Sequence, residues 1–139
     1  AWPEGGAYER FRQAVITREE PVLCQGISWL YVDLLHAFGF AAREVSLFST
    51  GVPNHATVEV LLNGRWVAMD PTYNVSFSNG QGTLLSYAQM QAAGSWIIQT
   101  QGLEPRRWHA LSGWIFQGFD ATTPYRHYLH RIEYPPLFE

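Results

Sequence analysis

One cysteine, Cys24, and two candidate partners for it, His55 and Asp70, are the residues whose types and spacing suit joint chemistry. Cys24 stands three positions before the first residue of an apolar stripe: Ile27, Leu30, Tyr31, Leu34, Leu35 and Phe38, at i, i+3, i+4, i+7, i+8 and i+11. That spacing predicts a helix over 24–38, with Gly39 where it stops. A thiol in the first turn of a helix feels the positive end of the helix dipole and unpartnered backbone N–H groups, and both favour thiolate. His55 and Asp70 are related differently. The runs 55–62 (HATVEVLL) and 65–70 (RWVAMD) flank Asn63-Gly64, a strong signal for a two-residue hairpin. Leu62 then pairs with Arg65, Thr57 lies opposite Asp70 and His55 opposite Thr72. His55 becomes a diagonal neighbour of Asp70 on one face, ~7–8 Å away at the backbone, a gap that an imidazole and a carboxylate can close. The other face carries Ala56, Val58, Val60, Val67 and Met69, which suit packing. Sulfur meets imidazole if the helix packs on the face that bears His55, and this is the expected arrangement. The imidazolium would then stabilise the thiolate, and Asp70 would hold the ring in the useful tautomer.

Taken singly, each residue has a plain structural reading. A lone cysteine is more often a small buried hydrophobe than a nucleophile. A strand histidine is usually half-buried, and Asp-Pro-Thr at a strand end is usually a turn. The conjunction of a sulfur at a helix start with a His–Asp pair on a hairpin is a much rarer accident.

The remaining elements must hold these three in place. Residues 7–18 predict a short amphipathic helix ended before Pro21, residues 42–49 (AREVSLFS) a strand, 74–83 a flexible loop and 84–93 a helix. Residues 107–118 stay open between a strand pair and irregular structure, and 123–134 is an aromatic, histidine-bearing segment of open form. No repeat or linker divides residues 1–139, which read as a single domain, and the start at Ala1-Trp-Pro leaves open a processed form or a fragment. Of the 139 residues 47% are hydrophobic, enough for one core, and 15% are charged, which argues against a disordered chain. The net charge of −3 and scattered arginines argue against a nucleic-acid partner. One cysteine excludes an internal disulfide and leaves the compartment unknown. No apolar run approaches the ~20 residues of a membrane span.

The segment from Cys24 to Arg43 (CQGISWLYVDLLHAFGFAAR) resembles the first block of the transglutaminase-like core, in which a cysteine opens a helix ending in Leu-Leu-x-x-x-Gly, followed by Ala-Arg. The segment from His55 to Thr72 resembles its second block, in which a histidine begins one strand and a Trp-Val-x-x-Asp-Pro-Thr strand delivers an aspartate. The resemblance covers roughly residues 22–74 and implies an α+β fold, an antiparallel sheet packed on a central helix, as in papain-like thiol enzymes. It further implies Cys24 as nucleophile, His55 as general base and then acid, and Asp70 as orienting carboxylate. The implied reaction is acyl transfer on peptide or protein amides, with no cofactor. Two positions depart from the pattern. Thr57 stands where the family often carries an aromatic, and only 23 residues precede the cysteine. The Cys24 N–H is one candidate oxyanion donor, and the second stays open among Trp2, Gln13, Gln25 and groups the pattern does not reveal.

His127 and His130, three apart, are too few to define a metal site. The aromatics Trp108, Trp114, Tyr125, Tyr128 and Tyr134 suit core packing or the walls of a cleft. Gly80-Gln-Gly82 lacks the Lys-Ser/Thr of a phosphate cradle, and Asn74-Val-Ser76 is a minimal glycosylation pattern. The leading expectation is a thiol hydrolase or acyltransferase, with hydrolysis favoured. The rivals are a catalytically silent module that binds peptide or glycan, and an arylamine-type acyltransferase, for which no acyl-cofactor motif is present.

Overall fold

The computed structural model describes residues 24–49, 52–100 and 122–135. They form an α+β fold with three helices, α1 (Cys24–Ala37), α2 (Tyr87–Ala93) and α3 (Thr122–Tyr128). The strands are β1 (Ala42–Ser49), β2 (Val52–Leu62), β3 (Arg65–Asp70), β4 (Val75–Ser78), β5 (Ile97–Thr100) and β6 (Arg131–Glu133). They make one sheet in the order β5-β4-β3-β2-β1-β6, antiparallel at every described pairing. The expected helix at 7–18 and the open segment 107–118 lie outside the described residues.

The hairpin forms as its turn chemistry dictates. Asn63 and Gly64 take positive φ, 51° and 78°, which matches the strand twist, and Leu62 pairs with Arg65. Val58 lies opposite Met69 and Val60 opposite Val67, so the register is the expected one. β3 ends at Asp70, and Ala56 therefore has no ladder partner on β3.

That register sorts the side chains into two apolar layers. On one face Val58 and Val60 pack with Ala42 and with Val32 of α1, flanked by Tyr31, Leu35, Leu62 and Met69. On the other, Val45, Leu47, Ala68, Val75 and Phe77 pack with Tyr87 and Met90 of α2 and with Tyr125 of α3. The sheet is thus covered by α1 on one face and by α2 and α3 on the other.

Two expectations change. α1 packs on the face opposite His55, because the aliphatic Val58–Val60 row lies there while the other face is taken by α2 and α3. Its buried side follows Ser28, Leu30 and Val32, whereas Leu34 and Phe38 of the sequence stripe are exposed. The stripe fixed the helix and its end at Gly39, where Phe40 N–H closes on the Leu35 carbonyl at 2.9 Å. It did not fix the rotation. Residues 75–78, expected in a flexible loop, form a wholly buried strand, since Val75 and Phe77 face one core and the neighbouring serines occupy the other side. Only 79–83 turn, around Asn79, whose side chain accepts from Gln81 and Thr83 N–H.

The predicted helix at 84–93 begins at Tyr87. Ser86 caps it by accepting from Gln89 N–H, and the Gln89 side chain accepts from Ser86 N–H. Ser86→Ala is expected to cost about 1 kcal/mol, roughly 3 °C in a thermal melt, because it orphans one of these donors.

Candidate functional site

Asp70 closes β3, and His55 sits two residues before Thr57 on β2, so both side chains emerge on the face covered by α2 and α3. The predicted contact is present: His55 Nε2 and Asp70 Oδ2 are 2.7 Å apart, with both residues buried. Thr72 N–H donates to the other oxygen, Oδ1, at 2.8 Å, so the Asp-Pro-Thr turn aims the carboxylate.

Cys24 reaches this pair from the far side of the sheet. Where β3 has ended, Ala56 turns its backbone to α1. Its N–H bonds the Cys24 sulfur, and its carbonyl accepts from Ser28 Oγ at 3.1 Å. Cys24 and Ser28 are one helical turn apart, so α1 docks on the free edge of β2 through one face of its first turn. The sulfur passes this edge and hydrogen-bonds the His55 ring. Nε2 is committed to Asp70, which leaves Nδ1 for the sulfur. Helix and imidazole therefore meet at the end of a strand, without sharing a face of the sheet.

The electrostatics favour an ion pair. Burial pushes the Cys24 thiol up, but hydrogen bonds from His55 and Ala56 N–H, together with the imidazole charge, outweigh it and hold the thiol below its ordinary value. Burial likewise opposes the charged form of His55. The charge and hydrogen bond of Asp70, aided by Cys24, raise it to about 9. Cys24 is partly buried, whereas His55 and Asp70 are buried.

Aromatic residues enclose the imidazole. Tyr73 stacks on it at 5.3 Å and Tyr128 at 4.7 Å, and the two hydroxyls meet at 3.2 Å. Tyr125 stands edge-on to the ring and donates its hydroxyl to Asp70 Oδ2. Behind it, Tyr87 stacks on Tyr125 with hydroxyls 3.4 Å apart, and Tyr87 reaches Thr57 Oγ1 at 2.5 Å. Thr57, the departure noted in the sequence, is thus a buried end of this hydroxyl chain. Tyr125 and Tyr128 were read only as core or cleft-wall aromatics. No local spacing ties them to His55, since they arrive from 55 or more residues downstream of Asp70.

Of the other sequence candidates, Gln25 is exposed, and Trp2 and Gln13 lie outside the described residues. His127 lies in the last turn of α3 and His130 follows the helix, both exposed, and no three His, Cys, Asp or Glu side chains cluster for a metal among the described residues. Tyr134 stacks on Arg43 at 4.0 Å, far along the sheet from Cys24. None of the described helices is long and apolar enough to cross a membrane.

Comparison with curated proteins and with solved structures yields no match. The sequence model of one family does match: residues 8–71, a span that takes in Cys24, His55 and Asp70, are similar to the transglutaminase-like superfamily.

Proposed function

We propose that this chain is a thiol acyl-transfer enzyme acting on peptide or protein amides, with Cys24 as nucleophile, His55 as general base and acid, and Asp70 as orienting carboxylate. The single observation that supports it most is a buried imidazole bonded at Nε2 to Asp70 and at its other side to the Cys24 sulfur. In this reading the sulfur attacks an amide carbonyl as thiolate, forming an S–C bond. The oxyanion is stabilised by N–H groups at the start of α1, Cys24's among them. His55 hands its proton to the departing amine as the C–N bond breaks. Water then gives a proton to His55 and attacks the thioester, releasing the acid and restoring the thiolate. An amine in place of water gives transamidation, and hydrolysis is the favoured course. Asp70 keeps Nε2 protonated throughout, so that Nδ1 is always the nitrogen that exchanges protons.

The reading is tested with 4-nitrophenyl acetate as acyl donor, followed by intact mass and peptide mapping. The expected result is a hydroxylamine-sensitive acetyl thioester on Cys24, formed much faster than on glutathione and lost in Cys24→Ala. Acylation at the rate of glutathione would reduce the chain to a binding module on a shared scaffold.

A further inference from the structure

Resting on the acyl-transfer reading, we infer that Tyr125 is a positioning residue for the Cys24–His55 pair, acting through Asp70 from outside the segment that the family model matches. Three observations carry this. Its hydroxyl donates to Oδ2, the same oxygen that takes His55 Nε2, whereas Thr72 N–H holds Oδ1. The ring is fully buried and fixed by its neighbours, tilted against Phe77 at 4.7 Å and parallel to Tyr87 at 5.9 Å. The family match ends at residue 71, so the 8–71 segment supplies Asp70 but not this donor.

A carboxylate gripped at Oδ1 alone can swing about its Cα–Cβ and Cβ–Cγ bonds. A second donor on Oδ2 fixes the plane in which the imidazole N–H must lie. Tyr125 supplies that donor from a rigid ring, and the hydroxyls of Tyr87 and Thr57 orient it from behind. The C-terminal α3 therefore completes an array whose reacting groups come from α1, β2 and β3. Among the described residues, the ionisable groups that face the pair are Asp70, Tyr73, Tyr125 and Tyr128, with Tyr87 behind Tyr125.

The test is the pH profile of Cys24 alkylation by iodoacetamide in the full chain, which needs no acyl donor. Tyr125→Phe keeps the ring and removes the donor. Its alkylation rate at pH 7 is expected to fall about tenfold, the worth of one hydrogen bond to a charged group, and the profile should move toward that of a free thiol. In Asp70→Asn the same change should add little, because both variants cut one path. Should Tyr125→Phe fold poorly, 4-fluorophenylalanine at position 125 fills the hydroxyl's space without donating and should give the same loss. A profile that superimposes on the parent, or losses that add fully in the double variant, overturns the inference. Neither outcome touches the acyl-enzyme test of the parent chain, so the two readings fail separately.

Discussion

Asp70→Asn is expected to slow acylation of Cys24 by about 10^3-fold, measured as release of 4-nitrophenol from the acetate ester under single-turnover conditions. The reason lies in the hydrogen-bond roles at this carboxylate. Both oxygens act as acceptors, Oδ1 from Thr72 N–H and Oδ2 from His55 Nε2–H and the Tyr125 hydroxyl. An amide must set its NH2 against one of these donors. If it faces Oδ2's partners, the imidazole is driven to the tautomer with its proton on Nδ1, the side that should take the thiol proton. If it faces Thr72, the turn that aims the side chain is lost. In either orientation no charge remains to support the imidazolium. Thermal melting run alongside separates this loss from unfolding: a variant that remains folded at the assay temperature and acylates at the parent rate would remove Asp70 from the account.

Arg43→Ala is expected to have the largest effect on stability, about 3 kcal/mol or roughly 10 °C in melting temperature. Glu59 is fully buried in the middle of the sheet, and Arg43 reaches its Oε1 through Nε at 3.1 Å and through a terminal nitrogen at 2.8 Å. The other oxygen accepts Tyr87 N–H at 3.0 Å, which ties the first turn of α2 to β2. The guanidinium is itself held between Trp66 and Tyr134, 4.0 Å from each ring. Truncation removes both stacking contacts and strands a carboxylate in the core. Glu59→Gln in the Arg43→Ala background should recover part of the loss, since the amide carries no net charge yet still accepts from Tyr87. Losses that add fully in the double variant would show that the ion pair is not what Arg43 contributes.

The site was legible where its geometry is local. Asn63-Gly64 can close only one register, and that register alone brings His55 diagonal to Asp70. The helix bearing Cys24 was legible for the same reason, since an apolar stripe and a following Gly39 are signals within one element. What periodicity could not give is which face of the sheet the helix covers. That choice is made by competition, because α2 and α3 fill the His55 face with Tyr87, Met90 and Tyr125 and leave Val58 and Val60 to α1. The strand Val75–Ser78 was missed because its serines and the flanking Asn and Gly residues read as loop, although pairing with β3 and β5 buries all four of its residues. Tyr125 and Tyr128 were invisible for a further reason: their relation to His55 exists only after the chain has returned to pair Ile132 with Leu47. Local sequence therefore located Cys24, His55 and Asp70, and tertiary packing supplied the residues that surround them.

A sulfur that rests as a thiolate beside a charged imidazole shows itself in the alkylation rate of Cys24 by iodoacetamide at pH 6. Each unit by which a thiol is lowered raises its thiolate fraction about tenfold at that pH. Labelling is expected to be clearly faster than that of glutathione at the same pH, and to fall to the glutathione rate or below in His55→Gln, where burial acts on the thiol without the imidazolium. Labelling of the parent chain no faster than glutathione, with the protein folded, would contradict it.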